Sequence, residues 1–456
     1  MRFEEYLAKP DNSRERQGSA EQAALCNDIT DMERNALKHR KDTCGSTSHE
    51  TARQHLPRLQ IVGDDRPTGN GGDRGSSQLD KIRLAQDLKF SQETIRREEI
   101  IKTDRDNLKK VADHKLSPEQ TKRFETYMAK FEMRAAGQTP QMKPEEIART
   151  YREVAKLIDP KDNPNPVLAE RDRIKLAELV MYHVANPTSV AQGFHNTCSA
   201  ASTESRLYAK YPAEAAQLVT EVATTGKFTP KDGSPKISID KSVLEQDNEA
   251  RRAQPGKPLR DYASQVFQGT AMALVRNGYY QSEPKLFRNP PDTGERYRDD
   301  SGGEIRVDWP TPREVHRMQR KIAGEDKSEP IIENHYLRDD AGTLPLLKDG
   351  QTHVSNVQEL RTKLSELKTQ GRLPAQMLVH TAHEPFFGDS GGGEAGGSGG
   401  WHFVTVMDYD DRIGKAKIDN FWGKRADHIE DGGIPVSDLY KATTIPTKNS
   451  RGSKGK

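Results

Sequence analysis

The feature that most constrains this chain is a polar turn that leads into a run of small residues, from Ala191 to Ser202. Cys198 stands where the turn ends, and the pattern from Ser199 to about Lys210 predicts a helix. A helix N-terminus offers free N–H groups and a partial positive charge, and both favour the nucleophilic thiolate. The segment therefore predicts a nucleophilic cysteine at the start of a helix.

A thiolate that attacks a carbonyl also needs a base and hydrogen-bond donors for the oxyanion. Gln192 lies six residues before the cysteine and can supply one donor, with the backbone N–H of Cys198 as the second. The base should be a histidine that is distant in sequence. Far downstream, His402 begins an apolar run and Asn420 ends the next one. His195, three residues before the cysteine, is interpreted as a wall of the site rather than as the base.

These two motifs resemble the two ends of papain-like cysteine peptidases. The first is a glutamine, five residues and a helix-opening cysteine, and the second is a strand histidine followed by Asn-x-Trp-Gly. The resemblance covers roughly residues 185 to 445 and rests on these motifs alone. It implies that Cys198 is the nucleophile and His402 the base. It also implies that Gln192 supplies the oxyanion donor and that Asn420 orients the base.

Two features depart from the family pattern. Ser199 follows the nucleophile, where papain-like enzymes commonly carry Trp. Asp419 stands beside Asn420, and distant members of the superfamily use Asp as the third catalytic residue. Because neighbouring residues of a strand face opposite sides, only one of the two can orient His402. The Asn-x-Trp-Gly match favours Asn420, with Trp422 expected to cover the contact, and Asp419 is the alternative.

The resemblance implies an α+β fold of papain-like type. A helical lobe would carry the cysteine, and an antiparallel sheet lobe would carry the histidine and its Asn or Asp partner. Independently, the apolar runs at 401–409 and 413–421 predict a β-hairpin. Such a hairpin would place His402 and Asn420 side by side on neighbouring strands.

Composition indicates that only part of the chain folds compactly. Charged residues make up 31% of the 456 residues and hydrophobic residues only 32%, which is too polar for one large globule. Residues 1–80 are polar and turn-rich and are predicted to be a disordered tail. Residues 81–185 are predicted to form a helical region, residues 186–447 the papain-like catalytic domain that the resemblance implies, and residues 448–456 a basic tail.

The helical region is interpreted in two ways. It is either a subdomain beside the catalytic lobe or a segment that covers the site, as the pro-segments of papain-like zymogens do. Its apolar stripes predict helices over 79–88, 95–111, 117–131, 144–157 and 168–184.

Further on, residues 281–330 are predicted to be loop-rich. The glycine-rich stretch 388–400 is interpreted as a flap over the site or as a flexible insertion.

Several classes of partner and location are not indicated. A net charge of +2 with both signs abundant does not require nucleic acid or an anionic membrane. No run of about 18 apolar residues suggests a transmembrane helix. Residues 1–7 contain no apolar run of a secretory signal, which predicts a cytoplasmic protein or export by a signal-independent route. The three cysteines suggest no disulfide framework, and a nucleophilic Cys198 has to stay reduced.

No cofactor or metal is expected. His380, His383 and Glu384 are close in sequence, but they follow a predicted strand and precede Pro385. A loop at that place lacks the helical spacing of zinc-binding motifs. The cluster is therefore interpreted as structural.

The leading hypothesis for function is a cysteine peptidase that acts on protein or peptide substrates. The same triad would also support deamidation or amide transfer, as in transglutaminase-like relatives, because the thioester chemistry is shared. A third hypothesis is a non-catalytic interaction protein that binds a partner through its charged helical region. An effector-like protein, secreted or injected, would fit the predicted disordered tail. The oligomeric state is left open.

Overall fold

A computed structural model describes residues 74–193, 195–254, 259–275, 280–282, 295–298, 304–305, 310–334, 350–383, 386, 400–421 and 432–444. The elements below, apart from the first residues of the first helix, belong to one compact unit, Gln78–Lys456. The architecture is mixed α+β. Within the described ranges, no helix combines the length and the apolar character that crossing a membrane requires.

In the described residues before the cysteine motif, the helices are Arg74–Lys115 (α1), Pro118–Gly137 (α2), Pro144–Ile158 (α3) and Glu170–Ala185 (α4). The prediction of two separate helices over 79–88 and 95–111 is wrong, because α1 is continuous. Residues 89–94, which join them, contain no glycine or proline that would end a helix. α1 also begins at Arg74, inside the segment predicted to be a disordered tail. The rest of that tail, the stretch 388–399 and the basic tail 448–456 lie outside the described residues.

The later helices are Cys198–Lys210 (α5), Pro212–Thr225 (α6), Lys241–Leu244 (α7), Asn248–Arg252 (α8), Tyr262–Val275 (α9), Pro312–Ala323 (α10), Val357–Thr369 (α11) and Val436–Ala442 (α12). Two short 3-10 turns span Pro187–Ser189 and Glu325–Lys327. The strands are Lys227–Phe228 (β1), Ile237–Ser238 (β2), Tyr280–Ser282 (β3), Glu295–Arg298 (β4), Glu304–Ile305 (β5), Ile331–Glu333 (β6), Gln351–His353 (β7), Ala375–His380 (β8), Trp401–Asp410 (β9), Lys415–Asp419 (β10) and Ile434–Pro435 (β11). They form a two-stranded sheet (β1, β2), a three-stranded sheet (β3 to β5) and a six-stranded sheet.

One hydrophobic core joins the helices. It extends from Ile101 on α1 to Val275 on α9 and takes in residues of α10. The core is continuous across residue 185, where the sequence suggests a boundary between a helical region and a catalytic domain. α3 packs on α6, α2 on α4, and α9 on α5. The helix that begins at Cys198 is therefore built into the same core as the helices that precede it.

The six-stranded sheet has the strand order β11-β10-β9-β8-β6-β7. β8 to β11 are antiparallel neighbours, whereas β6 runs parallel to both β7 and β8. The prediction of an antiparallel sheet is therefore wrong at this edge. The physical reason is α11, which connects β7 to β8 and returns the chain so that the second strand runs in the same direction as the first.

The β9–β10 hairpin is present as predicted. In its register, Asp419 lies opposite Thr405 and Ile418 lies opposite Val406. Residues of α11 and α12 form a second buried core with Val406 and Ile418 on one face of this sheet. α5 contacts the other face, through Thr405 and Asp419. The hairpin is thus covered on both sides, and Asn420 is the first residue after its second strand.

α10 is an element that the sequence analysis missed, because it predicted only loops over 281–330. Thr311 accepts a hydrogen bond from the backbone N–H of Glu314, and the Glu314 carboxylate accepts one from the N–H of Thr311. Pro312 stands at the first helical position, as in α2. These cap signals are present in the sequence. The apolar stripe of α10 is difficult to recognise in the sequence, because many charged residues stand between its apolar residues.

We expect Ile418→Ala to lower the free energy of unfolding by about 2–5 kcal/mol, because the side chain is fully buried in the second core. Ile413→Ala is the matched control, since Ile413 lies in the adjacent turn with 62% of its surface exposed. Its effect should be within about 0.5 kcal/mol of zero. Urea unfolding of both variants tests the hairpin packing, and equal losses would contradict it.

Candidate functional site

Cys198 is the first residue of α5, as the sequence predicts. Every residue of this helix from Cys198 to Ala209 is buried, although the sequence is rich in Ser, Thr and charged residues. Buried polar groups are costly unless they are hydrogen-bonded. The position of the helix is therefore set by the partners of these side chains.

On the sheet side, polar contacts from three strands hold α5 in place. Ser205 Oγ donates to Asp419 Oδ2 at 2.6 Å, and Thr405 Oγ1 donates to the Ser202 carbonyl at 3.1 Å. Gln376 Nε2 on β8 also donates to Ser202 Oγ. Since these bonds lie along one side of the helix, they fix its rotation about its own axis.

The direction of α5 brings its first residue to the level of the candidate base. Ser202 meets Thr405 on β9, and Cys198 belongs to a small buried cluster that includes Phe403. Four residues of helix and two residues of strand both span about 6 Å. α5 and β9 therefore run in the same direction, and Cys198 lies at the same end of β9 as His402.

His402 and Asn420 are joined by two hydrogen bonds. His402 Nε2 lies 2.9 Å from Asn420 Oδ1 and 3.1 Å from the Asn420 carbonyl oxygen. A carbonyl oxygen can only accept, so Nε2 carries the proton and donates. In a neutral ring, Nδ1 then holds the lone pair that can accept a proton. The structure thus has the contact that the sequence predicts, and the contact assigns the tautomer.

The environment of His402 favours the neutral ring. The residue is 2% exposed. Burial lowers the pKa of His402 to about 4, although the bonds to the backbone and side chain of Asn420 partly oppose this shift. At neutral pH the ring is therefore uncharged and able to act as a base.

Asp419, the alternative third residue, faces the other way. Its side chain is fully buried against α5, where Oδ2 accepts the Ser205 hydrogen bond. The pleat of the strand separates it from Asn420, as expected for neighbours. Of the two candidates, Asn420 bonds the ring and Asp419 anchors the cysteine helix. Trp422, expected to cover the His402–Asn420 contact, lies outside the described residues.

Gln192 joins the two motifs. Its backbone N–H donates to the Phe421 carbonyl at 3.1 Å, so the turn before the cysteine is tied to the residue after Asn420. Its side-chain Nε2 donates to the His195 carbonyl at 3.0 Å. Phe421 has a positive φ of 63°, a left-handed conformation that costs a non-glycine residue about 1–3 kcal/mol. The surrounding contacts hold the backbone in this shape.

His195 belongs to a buried charge cluster that the sequence analysis did not identify. Its Nε2 lies 3.2 Å from Glu249 Oε2 and 3.5 Å from Asp247 Oδ2, and Arg260 pairs with Asp247 at 2.9 Å. Burial raises the pKa of Asp247, but the hydrogen bond from His195 and the charge of Arg260 outweigh it, so the net pKa is lowered. No sequence signal connects His195 to the other three residues, because they follow it by about 50–65 positions and only the fold joins them.

The histidines at 380 and 383 are held by other contacts. His380 Nδ1 accepts from the backbone N–H of Ala382 at 3.2 Å, and His383 Nε2 bonds the Thr444 carbonyl at 2.8 Å. In the described part of the chain, no group of three His, Cys, Asp or Glu residues is arranged to hold a metal ion. Glu384, the remaining member of this candidate cluster, is not among the described residues.

Comparison with known proteins adds no relative. Scans against protein-family models, curated proteins and solved structures each give no match. The resemblance to papain-like peptidases therefore rests on the motifs of this chain and on the geometry described above.

The buried His402 predicts a specific pH dependence of stability. In the unfolded chain the ring titrates near 6.5, and in the folded protein near 4. Between these values the unfolded chain binds a proton that the folded protein does not, so stability falls as the pH falls from about 6.5 to about 4. The full loss from this ring is about 3 kcal/mol.

The measurement is urea unfolding between pH 7.5 and 4.5 for the wild type, His402→Gln and His114→Gln. His402→Gln should lack this part of the pH dependence. His114→Gln should retain it, because His114 is exposed. The carboxylates are the same in all three proteins, so their contribution to the pH dependence of the unfolding free energy cancels when the variants are compared. Equal slopes for the wild type and His402→Gln would contradict the prediction.

Proposed function

We propose that this chain is a thiol hydrolase similar to papain-like cysteine peptidases, with Cys198 as nucleophile, His402 as base and Asn420 as the residue that orients the base. One observation carries the proposal. His402 Nε2 is occupied by two oxygens of Asn420, which leaves Nδ1 as the proton acceptor. His402, which carries this Nδ1, lies at the same end of β9 as the N-terminus of α5.

The proposed reaction begins with transfer of the thiol proton from Cys198 to Nδ1 of His402. The thiolate attacks the amide carbonyl, and the S–C bond forms. The amine leaves with the proton from the imidazolium, and water then cleaves the thioester to release the acid and restore the thiol. This sequence needs no cofactor, and the neutral state of His402 is the one that accepts the first proton.

Oxyanion stabilisation is assigned to Gln192 and the backbone N–H of Cys198. An amide nitrogen carries two hydrogens. The hydrogen of Gln192 Nε2 that is not donated to the His195 carbonyl is the one assigned to the oxyanion. As the N1 residue of α5, Cys198 has a backbone N–H without an acceptor inside its own helix.

The finer description of the fold, two lobes of papain-like type, is also a proposal. It is supported by the two large cores, one among the helices and one between the six-stranded sheet and α11 with α12. α5 contributes Ala200 and Leu207 to the helical core and contacts the sheet with its polar side. The parallel strands at one edge of the sheet depart from the family pattern.

Substrate access requires the protein to open locally. Cys198 is fully buried and His402 nearly so. Asn196 beside them is exposed, and Gly400 and Trp401 are half-buried. We propose that the scissile bond enters between these residues, across the turn before Cys198 and the first residues of β9.

The reactivity of Cys198 tests the nucleophile. We expect iodoacetamide at about pH 7, admitted by the same local opening, to modify Cys198 of the folded protein before Cys26 or Cys44, because the helix start and proton transfer to His402 would favour its thiolate. Mass spectrometry of peptides from a time course measures each site. His402→Ala should slow modification at Cys198 alone. Equal labelling of all three cysteines in the folded protein would refute the assignment.

The activity test uses a mixture of unfolded proteins as substrate. New peptide N-termini, absent with Cys198→Ala, support a peptidase, whereas ammonia release without new termini supports deamidation by the same triad. A wild type that yields neither, although its Cys198 is selectively labelled, would favour a non-catalytic interaction protein. Gln192→Ala should lower turnover about 10²–10³-fold, the usual loss for one oxyanion donor.

Variants at Asn420 and Asp419 decide the third residue. We expect Asn420→Ala to lower the turnover of the folded protein moderately, because the neutral amide only orients the ring. Asp419→Ala should lower stability by about 1–3 kcal/mol through the lost partner of Ser205, with less effect on turnover of the folded fraction. The reverse pattern would move the assignment to Asp419.

A further inference from the structure

A buried amide lies behind the turn that precedes Cys198. Gln268 on α9 is fully buried and bonds both ends of this turn. Its Oε1 accepts from Thr197 Oγ1 at 2.6 Å, and its Nε2 donates to the Ala191 carbonyl at 3.1 Å. Since a carbonyl can only accept, the NH₂ group must point to Ala191, and the orientation of the amide is fixed.

The two bonded residues are the immediate neighbours of the proposed functional pair. Thr197 precedes Cys198, and Ala191 precedes Gln192. One rigid amide therefore sets the separation between the backbone that carries the nucleophile and the backbone that carries the oxyanion donor. Between them, Gly193 adopts a positive φ of 60°, and the described residues 193 and 195–197 belong to no helix or strand. Such a turn has no regular ladder of its own to define that separation.

Gln268 is itself anchored by the cysteine helix. Its Nε2 also donates to Glu204 Oε2 at 2.9 Å, and Ser264 Oγ donates to the other oxygen of the same carboxyl at 2.9 Å. Glu204 is fully buried, and burial raises its pKa to about 7. The amide is thus bonded to α5 and to both ends of the turn, and its position cannot shift without breaking several buried bonds.

A second pair of residues supports this arrangement from α4. His183 Nε2 lies 2.8 Å from Asp261 Oδ2, and its Nδ1 lies 2.9 Å from Ser189 Oγ. Burial lowers the pKa of His183, but the Asp261 carboxylate outweighs it, so the net pKa is raised. The ionisable group bonded to the amide is Glu204, and the same buried cluster contains His183, Asp261 and Tyr208, whose ring stacks on that of His183.

We propose that Gln268 is a positioning residue that holds Gln192 and Cys198 at the spacing needed to bind one carbonyl group between them. The inference rests on the proposed function. Gln268 acts through Thr197 and Ala191 and does not touch the substrate. Losing it displaces the oxyanion donor relative to the thiol, and a displacement of about 1 Å costs on the order of 10²-fold in rate.

The chain offers a matched control three residues earlier. Gln265 lies on the same helix and is equally buried. Its Nε2 donates to the carbonyls of Val243 and Glu245, and its Oε1 accepts from the N–H of Asp247. Gln265→Met and Gln268→Met therefore remove the same chemical group from the same helix, but only the second removes bonds to the turn.

The test compares two readouts. Alkylation of Cys198 by iodoacetamide needs the thiolate but no oxyanion donor, whereas turnover of protein substrate needs both. We expect Gln268→Met to lower turnover about 10–10²-fold and to change the alkylation rate less than about threefold. Gln265→Met should destabilise the fold and leave turnover of the folded protein unchanged. Adding Gln268→Met to Gln192→Ala should cause little further loss, since the two would act on one interaction.

The outcomes separate the two proposals. Absence of selective labelling at Cys198 in the wild type refutes the proposed function. Selective labelling and turnover in the wild type, with Gln268→Met behaving like Gln265→Met, refutes the positioning role alone. Equal losses of alkylation and turnover in Gln268→Met also refute it, because they indicate a general structural effect.

A second variant covers the case in which Gln268→Met does not fold. In Gln268→Glu, an ionised carboxylate can accept from Thr197 but repels the Ala191 carbonyl and Glu204, whereas its protonated form can donate one bond. Turnover relative to the wild type should therefore recover as the pH falls from 8 to 5.5. A constant ratio across this range would overturn the inference.

Discussion

The structure depends on the burial of a polar helix. α5 is enclosed by the helical core on one side and by the six-stranded sheet on the other, and its hydroxyl and carboxyl groups bond to both. An apolar helix could rotate or slide with modest loss, since dispersion contacts have little directionality. Here a rotation would leave several buried groups unpaired, at about 1–3 kcal/mol each. The direction in which Cys198 points therefore follows from hydrogen bonds made along the whole helix.

Local signals in the sequence were sufficient for most elements. The Ser117 cap, the small-residue run after Cys198 and the apolar hairpin at 401–421 each predict an element that is present, because capping and alternation act over a few residues. The misjudged segments were α1, where polar residues without a breaker do not interrupt a helix, and α10. The parallel edge of the sheet could not be predicted, since strand order depends on contacts between segments far apart in sequence.

In the candidate site, too, local patterns predict some contacts, and others depend on segments far apart in sequence. His402 and Asn420 were paired from the motif alone, because a hairpin brings its two strands together in a fixed register. The roles of Asp419 and Gln268 are not visible in the sequence. Asp419 has the residue type that could orient His402, and only the pleat and Ser205 show that it faces the helix. Gln268 lies in a segment that resembles any buried helix, and its bonds to Thr197 and Ala191 cross about 70 residues of chain.

The complete burial of Cys198 also affects how the sulfur responds to oxidants. Oxidation of a thiol to sulfenic acid and beyond follows its exposure as well as its thiolate character. Cys198 has no accessible surface, so peroxide reaches its sulfur only when the packing around α5 opens locally. Any reagent that modifies the sulfur has to enter through such an opening, so its sensitivity to peroxide should follow how often the packing opens. Protection from irreversible oxidation is thus a property of the packing around α5 rather than of the cysteine itself.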